Sequence, residues 1–390
     1  MKLIHLSDLH IGKRVNEFSM LEDQKYILLE ILNIIDEVKP DGVIISGDIY
    51  DRQVPSTEAV TVFDDFLCRL AERKLQVYAI SGNHDSAERM AFGNRLMEMS
   101  GIHISPVYDG NVTPLVFEDE YGKVNIYMLP FVKPVHVKKA YPDEEIESYT
   151  DALDVAVRNM NVNETERNII VTHQFVTGAE RSESEEISVG GTDNVDVRVF
   201  DAFDYVALGH IHGPQRISRD TVRYCGTPLK YSFSEVNHEK SVTVLELKEK
   251  GNVVISTKAL EPLHDMREIR GSYNDITDRN NYVGTNVEDY MHITLTDEDD
   301  IPSAMEKLRS IYPNLMKLDY DNTRTRNNVT VGAAQNVESK SPLELFREFY
   351  ELQNGSELSE QQLEYVQELM EEIEKTEEEI LIQNYESDDR

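Results

Sequence analysis

The sequence predicts an α/β fold that collects its reactive side chains at the ends of strands. Six short apolar runs recur in the first 260 residues: Leu3–Leu6, Gly42–Ser46, Val77–Ser81, Asn125–Leu129, Asn168–Thr172 and Tyr205–Leu208. Helical periodicity fills several of the intervals between them. Five polar blocks sit at the ends of such runs: Asp8-Leu9-His10, Gly47-Asp48, Gly82-Asn83-His84-Asp85, Thr172-His173 and Gly209-His210-Ile211-His212. Open α/β sheets hold their ligands at the carboxyl ends of strands, so these blocks are expected to converge.

The first run leads into a helix with Ile27, Leu28, Ile31, Leu32, Ile35 and Val38 on one face, which stops before Pro40. Val43-Ile44-Ile45 is continuous rather than alternating, as a strand buried on both faces should be. Pro55 and Ser56 mark a second helix start, with Ser56 as its N-cap. A third helix is expected through Met90, Leu96 and Met99, ending on Gly101. Ser241–Leu247 and Val253–Ala259 flank Lys248-Glu249-Lys250-Gly251-Asn252, a hairpin that closes a first domain, 1–265. Residues 266–320 read as a small α/β capping domain, with strand-like Met291–Leu295, helical Pro302–Ile311 and strand-like Leu315–Tyr320. Residues 321–341 have the polar, irregular composition of a linker. Residues 342–390 form a helical segment with two apolar patterns. One is the stripe of Leu343, Phe346, Phe349 and Tyr350. The other is a narrow seam of Leu363, Val366, Met370 and Ile373, opened by the capping-box pair Ser359 and Gln362.

The formal net charge of −34 argues against a protein that simply coats nucleic acid. The charge is uneven: residues 341–390 hold 16 acidic against 3 basic side chains. Bound divalent cations would offset carboxylates elsewhere. No stretch approaches the ~20 apolar residues that cross a bilayer, and MKLIHLSDLH lacks the layout of a signal peptide. A soluble cytoplasmic protein with no membrane partner is expected. Cys68 and Cys225 make neither a disulfide framework nor a CxxC pair, and both are expected to be buried thiols.

The blocks carry metal chemistry. Asp8 with His10, and His210 with His212, alternate along what reads as extended chain, so each pair can point one way. Asp48 ends a strand, where its carboxylate can bridge two cations. Gly82 allows a sharp turn that brings Asn83 and His84 into the same cleft. Mixed oxygen and nitrogen donors suit manganese, iron or zinc better than magnesium or calcium. Two such cations roughly 3.5–4 Å apart clamp the attacking and leaving oxygens of a displacement at phosphorus. A single His after a strand is more often a hydrogen-bonded core residue than a ligand. Five ligand-rich blocks, all at strand ends, reverse that reading. Lys13, Arg14, Arg52 and Arg89 lie beside the blocks in sequence and are candidate phosphate contacts.

In this order the blocks resemble the calcineurin-like metallophosphoesterase superfamily: DxH, GDxxD, GNHD, a lone His, then GHxH. LIHLSDLHIGK, DGVIISGDIYDR, SGNHDS, FDYVALGHIHGPQ and YCGTPLKYSFSE are similar to one branch, the bacterial DNA nuclease subunits of double-strand-break repair. The resemblance is strong over residues 1–245. It implies a four-layer β-sandwich flanked by helices. It also implies Mn²⁺-dependent cleavage of DNA, as a 3′→5′ exonuclease on duplex ends and an endonuclease on single strands and hairpins. One metal would be held by Asp8, His10, Asp48 and His212, and the other by Asp48, Asn83, His173 and His210. His84 would then act on the scissile phosphate as general acid or leaving-group stabiliser, oriented by Asp85. Asp51 stands where some relatives carry His. The implied partners are DNA, an SbcC-type ABC ATPase contacted by the acidic C-terminal helices, and a second copy of the chain. The competing expectations are a two-metal phosphodiesterase or phosphatase acting on a small molecule or phosphoprotein, and a non-catalytic tether. The tether would need a degraded ligand set, and no ligand is missing.

Overall fold

The computed structural model describes residues 1–185, 193–323 and 325, with scattered positions between 343 and 369. The chain divides into two compact units. One comprises Met1–Ile269, Tyr282–Ile293 and Met305–Lys317; the other comprises Arg270–Asn281, Thr294–Ala304 and Leu318–Arg390.

The larger unit is a sandwich of two six-stranded sheets. In the first, the strands run Val253–Ala259, Ser241–Leu247, Lys2–Leu6, Gly42–Ser46, Gln76–Ile80, Ile102–Ile104. The last four are mutually parallel, and Ser241–Leu247 pairs antiparallel to Lys2–Leu6. In the second the order is Gln215–Ile217, Arg219–Tyr224, Tyr205–Gly209, Arg167–His173, Gly122–Leu129, Leu115–Asp119. Its four inner strands are parallel and its two edge strands antiparallel.

Each sheet buries both faces, which explains the unbroken apolar runs. Between the sheets, Leu3, Ile44, Tyr78 and Ile80 meet Val124, Ile126, Ile169, Val171 and Tyr205. On the outer face of the first sheet lie helices Leu21–Val38 and Thr57–Glu72, which supply Ile27, Ile31, Ile35, Phe63, Phe66 and Leu70. Helices Pro134–Ala140 and Tyr149–Arg158 cover the second sheet with Val137, Ala152, Leu153 and Val155. These are the four layers expected.

Local signals act as expected at several ends. Ser56 Oγ accepts from Ala59 N–H at 3.2 Å. The first helix stops on Lys39, which adopts a left-handed φ of 51° before Pro40. Ser359 and Gln362 exchange the two bonds of a capping box, at 3.0 and 3.3 Å. The third helix is not continuous. Residues 87–100 fold as two four-residue turns, Ala87–Met90 and Asn94–Met97, and a 3₁₀ turn, Glu98–Ser100. Gly93, at φ +77°, breaks the helix between the first two. Leu96 and Met99, read as a core stripe, are exposed. Cys225 is buried but Cys68 is exposed, on a helix that buries Phe66, Leu67 and Leu70 instead. Met266–Gly271, Tyr290–Leu295 and Leu315–Tyr320 form a separate three-stranded sheet. Of the C-terminal stripe and seam, Phe349, Met370 and Ile373 lie outside the described residues, as does most of the expected linker.

Candidate metal centre

The five blocks do converge. Asp8 and His10 follow strand Lys2–Leu6, Asp48 follows Gly42–Ser46, and Asn83 and His84 follow Gln76–Ile80, all in the first sheet. His173 ends strand Arg167–His173, and His210 and His212 follow Tyr205–Gly209, in the second. Asp8, His10, Asp48, His173, His210 and His212 are all buried.

The backbone that brings them together is not extended. Asp8, His10, Asp48 and His210 all have positive φ, at 52°, 44°, 50° and 103°. Alternation along a strand therefore does not aim these side chains; left-handed turns just beyond the strand ends do. Such conformations cost of order 1–3 kcal/mol each and persist where surrounding structure holds them. Gly82 is needed for space, not for a left-handed turn. A Cβ there would collide with the Asp48 carboxylate, and one on Gly47 would stand 2.6 Å from His173 Nδ1.

Asp48 is central. Its Oδ2 lies 3.7 Å from His10 Nε2 and 3.3 Å from His173 Nε2. On the first side, His10 Nε2 faces His212 Nε2 at 3.2 Å, and Asp8 completes the group with them. On the second, Asn83 Oδ1 lies 2.9 Å from His173 Nε2 and 3.0 Å from His210 Nδ1. Asp8 also spans towards the second side, sharing a group with Asp48 and His173.

The outer nitrogens of two rings are already committed. His173 Nδ1 donates to the Ser46 carbonyl at 2.8 Å. His212 Nδ1 lies 2.7 Å from Ser184 Oγ and 3.4 Å from Glu235 Oε1. Each bond fixes a tautomer that leaves Nε2 as a lone pair facing inward, the arrangement metal-binding imidazoles need. Among the described residues the buried His210 Nε2 has no hydrogen-bond partner. Burial pushes the Asp8 carboxyl up to about 6, and the nearby Asp48 charge adds to the push. His173 is held up to about 9, because Asp48 outweighs the burial that would lower it. Buried carboxylates crowded like this call for positive charge. The donor set fits a pair of divalent cations.

His84 differs from the other imidazoles. It is the most exposed of the rings at the centre, with 19 % of its side chain accessible, and its Nε2 stands 3.9 Å from Asp48 Oδ2. Its Nδ1 lies 3.1 Å from the Asp51 carbonyl, and a carbonyl can only accept, so Nδ1 carries the hydrogen. Asp85 does not orient it. The Asp85 carboxylate accepts instead from the amides of Ile49, Tyr50 and Gly82, at 3.1, 2.9 and 2.9 Å. Asp85 thus clamps the Asp48 loop to the Asn83 loop, and Asp51 does the orienting through its main chain.

The four basic candidates do not gather on the centre. Lys13 is paired with Asp51 Oδ1 at 2.8 Å. Arg14 donates to the Glu17 carbonyl. Arg89 lines a separate cavity with Tyr50, Pro55 and Phe63. Arg52, with 77 % of its side chain exposed and 3.8 Å from Asp51 Oδ2, is the one of the four left open to solvent near Asp51.

Sequence reasoning missed Ser184, Glu185, Glu235 and Lys240. Glu185 Oε1 accepts from His212 N–H at 2.6 Å. Lys240 Nζ reaches Glu235 Oε2 at 2.6 Å, the His212 carbonyl at 2.9 Å and Thr227 Oγ1 at 2.7 Å. Burial alone would raise the Glu235 carboxyl, but the His212 bond and the Lys240 charge hold it below the usual range. Glu235 ends the YCGTPLKYSFSE stretch, so the signal was present without its partner. Removing one member of a buried ion pair leaves the other charge uncompensated, at a cost of about 3–5 kcal/mol. Lys240→Met should therefore lower the urea midpoint by that amount at unchanged slope. A loss below about 1 kcal/mol would contradict the pairing.

A family model described as calcineurin-like phosphoesterase matches residues 1–214, and the chain belongs to that family. A second model, described as the type 5 capsule protein repressor C-terminal domain, matches residues 262–354. The chain is also 35% identical over 322 residues to SbcD, the nuclease component of SbcCD, from Staphylococcus epidermidis, covering 82% of this chain and 85% of the relative. That similarity places it in the SbcD branch of the family. Among solved structures, TT1561 of Thermus thermophilus aligns with a TM-score of 0.40 and 12% identity, covering 66% of this chain and 98% of that one. The phosphoesterase Yfce of E. coli aligns with a TM-score of 0.28 and 13% identity, covering 67% and 100%.

Proposed function

We propose that the chain is the nuclease component of an SbcCD-type complex, hydrolysing DNA phosphodiesters at a pair of divalent metals, best served by Mn²⁺. The observation that carries this reading is Asp48 Oδ2, within 4 Å of one imidazole from each of two clusters. Asp8, His10, Asp48 and His212 would hold one cation, and Asp48, Asn83, His173 and His210 the other. When bound, the pair supplies charge neutralisation on the phosphate and a water of lowered pKa. His84, whose Nε2 is the ring nitrogen free of the Asp51 carbonyl, gives a proton to the leaving oxygen. Ser46, Ser184 and Glu235 hold the rings in register. The 3′→5′ exonuclease action on ends and endonuclease action on single strands and hairpins are part of this reading.

The same reading assigns partners. An SbcC-type ATPase would take the acidic segment 342–390, most of which lies outside the described residues. A second copy of the chain would cover Phe92, Leu96 and Met99, which are 85%, 74% and 86% exposed and too apolar to face water together. Among the described residues no helix is long and apolar enough to cross a membrane, and a DNA substrate suits the cytoplasm. End-labelled duplex and hairpin DNA, incubated with Mn²⁺ or Mg²⁺, with and without the ATPase and ATP, tests the reading. Mn²⁺-dependent cleavage of both substrates is expected. Hydrolysis of a cyclic nucleotide with no cleavage of DNA would overturn it.

A further inference from the structure

A cavity of about 500 Å³ opens beside the metal centre, within the size range of ligand clefts. Its inner wall is Ser81, Gly82 and Asn83, and its outer wall is Phe131, Lys133, His136 and Lys139. Asn83 is the candidate ligand bonded to His173 and His210. The Phe131 ring stands edge-on to His173, with centroids 6.2 Å apart. The cavity therefore begins at the candidate ligands and runs outward.

Its charge is unusual for this chain. Net charge is −34, yet no acidic residue occurs from 121 to 142, while Lys123, Lys133, Lys138 and Lys139 all fall there. Lys133, His136 and Lys139 recur every third residue and are exposed. Two carboxylates also line the cavity, Asp85 and Glu88. Asp85 is spent on three backbone amides, and Glu88 accepts from Ser86 Oγ at 3.1 Å. Tyr108 lines the cavity as well, and its buried hydroxyl has no hydrogen-bond partner among the described residues.

Cationic side chains interleaved with aromatic rings are how proteins hold unpaired nucleic acid: the charges track phosphates and the rings take base faces. We propose that this cavity seats the unpaired strand next to the scissile phosphate, with Lys133, His136 and Lys139 on the backbone and Phe131 and Tyr108 as base platforms. The assignment rests on the nuclease reading above. It gives that reading a basis for acting on hairpins and single strands, whose bases can be splayed out of a stack.

The test is binding of a fluorescein-labelled 12-nucleotide single strand, followed by anisotropy across KCl concentrations without Mn²⁺. The variants are Lys133→Glu with Lys139→Glu, and Phe131→Ala. Lys250→Glu with Lys258→Glu, on the edge hairpin, reverses the same charge elsewhere. The lysine pair should bind at least tenfold more weakly, with a log–log salt slope smaller by about 1.4, two phosphates at ~0.7 each. Phe131→Ala should bind about tenfold more weakly, as loss of one stacked base does. The hairpin variant should lose far less. Wild-type affinity and slope in the lysine pair, or equal losses on blunt duplex, would overturn the proposal. Failure of the wild type to cleave DNA with Mn²⁺ would sink the nuclease reading instead, and this binding assay does not depend on it.

Discussion

Replacing His84 with glutamine should slow DNA cleavage by about 10²–10⁴-fold, the usual cost of losing a positioned proton donor, while metal content stays near two equivalents. Three features separate His84 from the ligands. It is the most exposed ring at the centre. Its Nδ1 hydrogen is held by the Asp51 carbonyl at 3.1 Å, so the proton it can exchange sits on Nε2. The two clusters already contain four donors each without it, if Asp48 is counted in both. Geometry also groups His84 with His10 and Asp48, so a ligand role is the competing account. Glutamine keeps a polar group in place but cannot transfer a proton. Elemental analysis of the purified variant decides, because loss of one full metal equivalent would make His84 a ligand.

Asp48→Asn should cost both metals, and cleavage should fall to background. The Asp48 carboxylate faces both clusters, through His10 on one side and His173 on the other. Its Oδ1 also accepts from His84 N–H at 2.9 Å, so the same side chain fixes the loop that carries Asn83. Losing an outer partner of a metal ligand costs about 10–100-fold in affinity, and loss of a shared ligand should cost at least that at each site. Asp8→Asn should chiefly weaken one site. Equal loss of metal in the two variants would remove the support for a bridging role.

Most of the scaffold was legible because burial on two faces leaves continuous apolar runs. Val43-Ile44-Ile45 can hardly be anything but an inner strand. The ligand blocks were legible because they follow those runs directly. Their aim was not. Asp8, His10, Asp48 and His210 turn inward through left-handed backbone, and nothing in residue type distinguishes that from a continuing strand. The role of Asp85 was misread for a related reason: its partners are main-chain amides of Ile49, Tyr50 and Gly82, which no motif displays. Ser184, Glu185 and Lys240 reach His212 or its carbonyl from 27 or 28 residues away in sequence, so their convergence is a property of the fold. Leu96 and Met99 had helical spacing, but Gly93 broke the helix and left both side chains outside. Lys13 looked like a phosphate contact until Asp51 was found to neutralise it.

The shared carboxylate is the claim on which the chemistry rests, and low-temperature electron paramagnetic resonance of the protein titrated with Mn²⁺ tests it directly. Two Mn²⁺ ions held ~3.5–4 Å apart by one bridging carboxylate are exchange-coupled. The wild type at two equivalents should therefore show a coupled-pair spectrum, and Asp48→Asn should show none. Two equivalents bound with the spectrum of isolated ions in the wild type would contradict the account.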